Sequence, residues 1–171
     1  MYRVLFTMWL GLMNINVHAE QTDIPLGIGD AVKVVVFNEP DLLVNMKVDA
    51  NGVIHVPLIG DIHAVGLTAQ QLDEKITAML EADYLVAPQV SVIVEAFRPF
   101  YIKGEVTRAG SYDYVIGLTV DQAIAIAGGL RERAASDDWQ LIRGPQKKLL
   151  TVTADTQVLP GDIIEIPESF F

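Results

Sequence analysis

Three groups of side chains in this sequence could do chemistry, and each also has a quieter reading. Two aspartates open strand-like runs in the same way: Gly29-Asp30 precedes Ala31-Val-Lys-Val-Val-Val36, and Gly161-Asp162 precedes Ile163-Ile-Glu-Ile166. A pair of carboxylates can act as general acid and base on a glycosidic bond. An aspartate after glycine can equally hydrogen-bond its own turn backbone, and that role explains both positions. His55 and His63 are the only histidines after His18. Imidazole metal ligands come with partners at set spacing, and neither has one nearby in sequence, so no metal site is expected. Tyr112, Tyr114 and Trp139 could form an aromatic platform for a sugar, with core or interface packing as the alternative. There is no Gly-x-Ser-x-Gly elbow, no His-Glu-x-x-His, no phosphate-binding Walker loop and no complete Gly-x-Gly-x-x-Gly. No catalytic residue and no cofactor is therefore expected.

The elements that must position these residues are legible as two similar units. Gly104 to Leu130 reads as a strand, a turn at Gly110, a second strand in which Tyr112, Tyr114 and Ile116 alternate, and an apolar helix. Thr119 can cap that helix while Gln122 reaches back to the cap amide, and Gly128-Gly129 suits its left-handed end. The same entry occurs earlier as Gly66-Leu-Thr68-Ala-Gln-Gln71, where Thr68 caps and Leu72, Ile76, Met79 and Leu80 share one helical face. Asn51-Gly52 lies between two strand-like runs and predicts a hairpin with a primed turn, which confines Pro57 to an edge or strand end. Val90, Val92 and Val94 fall on one face of a strand, and Phe97-Arg98-Pro99 breaks the pattern. The fold class is α+β, two small αβ modules with a boundary near Arg98.

The chain has 171 residues, 51% hydrophobic and 20% charged, the composition of a globular protein of one or two small domains. Its formal charge of −10 argues against nucleic acid, whose binding rests on neutralising phosphates, and against an anionic membrane surface. With no cysteine it has no disulfide, thiolate metal site or lipidated cysteine anchor. Residues 1–19 read as a secretory signal peptide: Arg3, a short apolar run, then Val17-His-Ala19 as cleavage site.

The Gly104–Leu130 stretch, GEV-xx-xG-x-Y followed by a Thr-capped helix ending AGGL, resembles the SLBB β-grasp module of bacterial polysaccharide export proteins. Further segments resemble that family in its own order. Leu26-Gly-Ile-Gly29-Asp30 is similar to its opening strand, Val48 to Gly60 to its hairpin and Pro57-x-x-Gly60 segment, and Pro88-Gln-Val-Ser-Val92 to the strand after its first helix. Trp139-Gln-Leu-Ile-Arg143 and Leu159-Pro-Gly161-Asp162-Ile-Ile-Glu-Ile-Pro167 resemble its closing strands.

The resemblance implies an export-signature domain over 20–97, a single SLBB β-grasp domain over 98–168 and a tail at 169–171. It also implies a non-enzymatic periplasmic role in which copies of the chain assemble as a ring-like conduit for polysaccharide. Implied partners are an inner-membrane chain-length regulator (co-polymerase) and a separate outer-membrane barrel protein. The barrel is expected because this sequence shows neither the lipidated cysteine nor the C-terminal membrane helix of longer members. A monomeric glycan-binding β-grasp protein is the alternative.

Overall fold

The computed structural model describes residues 24–169, and the signal-peptide reading of 1–19 lies outside them. Among the described residues, ten strands and two α-helices divide between two hydrophobic clusters, one drawn from Leu26 to Leu80 and the other from Phe100 to Ile166.

In the first module β1 (Ala31–Val36) is the middle strand of a three-stranded antiparallel sheet, between β2 (Val44–Lys47) and β5 (Val90–Ala96). Its sequence alternates strictly, so Val32, Val34 and Val36 are buried while Ala31, Lys33 and Val35 are half-exposed. Strands β3 (Val53–Val56) and β4 (Gly60–His63) form a separate hairpin. Helix α1 (Ala69–Asp83) packs across β5 and buries Leu72, Ile76 and Leu80, each 0% exposed. Burying each of these side chains stabilises the fold by about 1.5–3 kcal/mol.

The second module is a five-stranded mixed sheet in the order β7 (Gly110–Tyr112), β6 (Phe100–Gly104), β10 (Ile163–Ile166), β8 (Trp139–Arg143), β9 (Lys148–Val152). Strand β10 runs parallel to β6 and antiparallel to β8, the only parallel pair among the described strands. Phe100, Ile102, Leu141, Ile164 and Ile166 join Val120, Ala123 and Ile124 of helix α2 (Val120–Ile126) in the core. No helix among the described residues is long and apolar enough to cross a membrane.

Two local expectations are corrected. Asn51-Gly52 does not close a hairpin: β2 pairs with β1, and β3 pairs with β4 across Pro57 to Ile59. The turn is built by Asp49, whose carboxylate accepts from the Asn51 and Val53 amides at 2.8 and 2.9 Å and whose own amide donates to the Val53 carbonyl at 3.0 Å, but no strand ladder between β2 and β3 continues from it. Gly110 is the first residue of β7 without a positive φ, and that strand ends at Tyr112, leaving Ile116 58% exposed in the loop before α2.

Candidate functional site

The two buried carboxylates organise the molecule. Asp30 and Asp162 are the only buried charged side chains among the described residues, at 0% and 1% exposure. Each closes a turn of the same construction. The Asp30 amide donates to the Gly27 carbonyl at 3.2 Å, and its carboxylate accepts from the Gly27 amide at 2.7 Å. The Asp162 amide donates to the Leu159 carbonyl at 3.1 Å, and its carboxylate accepts from the Leu159 amide at 2.7 Å. The third residue of each turn is a glycine at positive φ, Gly29 at 93° and Gly161 at 84°, as a type II turn requires.

A carboxylate buried this deeply needs a cation, and each has an arginine. Arg143 of β8 donates from Nε and Nη2 to both Asp162 oxygens at 2.7–3.2 Å, and from Nη2 to the Gln157 carbonyl. Asp30 is paired by Arg98, which lies in the segment joining β5 to β6. Arg98 donates its backbone amide to Asp30 Oδ1 and its Nη1 to Oδ2 at 2.6 Å. The stem of the same side chain lies over Gly161, where an added Cβ would come within 3.0 Å of Nε, and its guanidinium occupies the space a Cβ on Gly27 would need. Arg98 is therefore wedged between the two Gly-Asp turns. Its neighbours extend the junction: the Pro99 carbonyl accepts from the Gly161 amide at 3.1 Å, and Phe97 meets Tyr114 edge to face at 5.7 Å.

Chemically this is a clasp. The carboxylate oxygens of Asp30 and Asp162 are all held by arginine and backbone donors. Tyr112 stacks on Phe100 at 5.8 Å and donates its hydroxyl to the Arg108 carbonyl. Trp139 is 7% exposed and donates its indole N–H to the Ala135 carbonyl. Burial pushes the Tyr114 phenol above its ordinary pKa; the Gly117 amide opposes this, the Asp162 charge adds to it, and Arg143 opposes it. Tyr112 and Tyr114 are thus half-buried against the second core, and Trp139 is buried within it. His55 and Asp61 form an exposed pair at 2.8 Å on β3 and β4. Among the described residues no three histidine, aspartate or glutamate side chains gather as a metal cluster.

The other singled-out residues are distributed through the scaffold. Thr68 and Thr119 cap α1 and α2, each with a complete capping box. Gly128 and Gly129, both at φ 86°, follow α2. Gly104 at φ 89° lets β6 approach β10 so closely that a Cβ would run into the Ile166 carbonyl oxygen. Pro57 follows β3, Gly60 opens β4, and Gly52 closes the Asp49 turn. In the sequence Arg98 marks only the boundary between the two units. The one signal the sequence offers for it is an arginine between Phe97 and Pro99 in a chain with two Gly-Asp turns whose carboxylates need cations.

Comparison with known proteins places these modules. The family described as polysaccharide biosynthesis/export protein matches residues 18–95, and the SLBB domain matches residues 99–154. The exopolysaccharide production protein ExoF of Rhizobium meliloti (strain 1021) is 35% identical over 86 residues, which is 49% of this chain and 20% of that protein. The matched stretch thus spans about a fifth of the length of that curated relative.

Proposed function

This chain belongs to the polysaccharide biosynthesis/export protein family and carries an SLBB domain, and from that premise we propose that it is a non-enzymatic component of an exopolysaccharide or capsule export machine. It works in the periplasm as an oligomer, forming or capping a ring-like conduit through which polymer passes between the inner and outer membranes. An inner-membrane chain-length regulator feeds it, and an outer-membrane barrel protein receives from it. We place the module boundary at Arg98, with residues 20–97 and 98–168 as successive layers.

The observation that most supports this reading is the Arg98 clasp. A polymer conduit built of stacked layers requires each subunit to keep its two layers in fixed relation. Here one side chain is bonded to the carboxylate of one module and packed on the glycine turn of the other. The acidic surface of the chain adds to this, because carboxylates repel an anionic polymer and tight binding would stall transit.

The test is genetic and physical. Deleting the gene should leave polymer inside the cell envelope, and restoring the wild-type chain should return it to the medium or surface. The purified protein should form closed oligomers, visible by light scattering and electron microscopy. Undiminished secretion in the deletion strain overturns the proposal, and a strict monomer with measurable glycan affinity establishes the binding-protein alternative.

A further inference from the structure

At the end of the first module farthest along β1 from the clasp, apolar side chains stand in solvent. Val86 is 99% exposed, Phe37 65% and Tyr84 49%. They line two adjoining clefts that share Leu85 and Val86. One, of about 210 Å³, lies between the loops 36–39 and 85–89; the other, of about 370 Å³, is lined by residues 81–86. The two loops are tied together, since the Phe37 amide donates to the Gln89 carbonyl at 2.8 Å.

The charge around this groove has one sign. Glu39, Glu81 and Asp83 line it, and no lysine or arginine does. Glu81 and Asp83 also occupy the last turn of α1, which holds no basic residue. That end of a helix carries partial negative charge and ordinarily takes cations. The sequence thus keeps two carboxylates where local electrostatics disfavour them, beside exposed apolar groups that solubility disfavours. Both costs are relieved by the same occupant.

We infer that this groove is a docking site for a segment of another protein that presents apolar side chains interspersed with lysine or arginine. The apolar groups fill the clefts at Leu85 and Val86 while the cations meet Glu39, Glu81, Asp83 and the helix end. An anionic lipid surface or an anionic polymer would each bring like charge onto the rim. The inference does not rest on the export reading, and its test uses neither polymer nor secretion.

The isotope-labelled full chain is titrated with a short synthetic leucine–lysine peptide while its amide resonances are followed. Shifts should cluster at Phe37, Glu39, Leu85 and Val86. The double variant Phe37→Ser, Val86→Ser should weaken binding by about tenfold or more, as loss of a central apolar anchor does, with its melting temperature unchanged because both side chains are exposed. The double variant Glu81→Lys, Asp83→Lys should lose the leucine–lysine peptide and gain a leucine–glutamate one. A serine–lysine peptide that binds as well overturns the proposal, since charge alone would then suffice. Shifts centred elsewhere overturn it too, as do the same shifts produced by phosphatidylcholine or phosphatidylglycerol vesicles or by raising protein concentration without peptide.

Discussion

The two modules share one local device and wire it in opposite chain order. In the first, the Gly29-Asp30 turn comes early and the capped helix late; Leu26 donates to the Leu67 carbonyl in the Gly-Leu-Thr entry at 2.8 Å. In the second, the helix comes first and the Gly161-Asp162 turn last; Val158 donates to the corresponding Leu118 carbonyl, also at 2.8 Å. Turn, helix entry and the hydrogen bond between them coincide, although the segments joining them differ. The neighbouring strand differs as well. It is antiparallel β2 beside β1 in one and parallel β6 beside β10 in the other. What the pair teaches is that a buried aspartate can organise either topology, provided an arginine reaches it. The source of that arginine decides whether the bond holds one module together or joins two.

The largest effect that sharpens this contrast is expected at Gly104. The parallel β6–β10 approach needs a glycine at φ 89° with no room for Cβ, and the antiparallel sheet of the first module has no such constraint. Gly104→Ala should destabilise the second module by about 3 kcal/mol or more, from backbone strain together with the contact against Ile166. Hydrogen exchange should show protection lost in β6, β8 and β10 and kept in β1. Equal loss in both modules would show that they unfold as one.

The arginines come next. Arg143→Met and Arg98→Met each strand a buried carboxylate, at a cost of about 3 kcal/mol, the low end for a broken buried pair because backbone amides still hold the aspartate. Their consequences should differ in kind. Arg143→Met lowers the melting temperature of the second module and leaves the shape of the protein unchanged by small-angle scattering. Arg98→Met widens the distribution of angles between modules as well. Identical scattering from both variants would break the distinction between an internal pair and a joint.

Much of this was legible in sequence because it is local. A capping box is written within four residues, so Thr68–Gln71 and Thr119–Gln122 could be read directly. The buried faces of β1 and α1 follow from periods of two and of three to four. The Gly-Asp turns are legible as turns for the same reason. What failed was pairing. Asn51-Gly52 has the composition of a hairpin, but the strand before it finds a better partner in β1, a choice made by the whole sheet. The clasp failed similarly, since Asp30 and Arg98 lie 68 residues apart and nothing local joins them.

Thr68→Ala and Thr119→Ala should each cost about 1 kcal/mol through a lost cap. The two helix starts are nevertheless supported differently. The Val120 and Asp121 amides donate to the Thr156 and Ala154 carbonyls, which pins the first turn of α2 to the loop before β10. Thr68→Ala should therefore fray α1 and speed exchange at its first turn. Thr119→Ala should lower stability without faster exchange at Val120 and Asp121.

The smallest expected effect is on pH dependence, and here too each module holds a counterpart. Asp49 has its pKa lowered chiefly by the Val53 amide, with further help from Asn51 and Gly52. Asp155 has its pKa lowered chiefly by the Thr153 hydroxyl, at 2.6 Å. In both cases the folded state favours the carboxylate, so the unfolded chain binds more protons as acid is added. The stabilisation is complete above the ordinary value of 3.8 and is lost as pH falls through the lowered one. Asp49→Asn should flatten the acid limb of stability for the first module and Asp155→Asn for the second, each followed by its own exchange-protected strands. If either variant flattened both limbs, the turns would be coupled through the Arg98 joint, and that joint would transmit more than orientation.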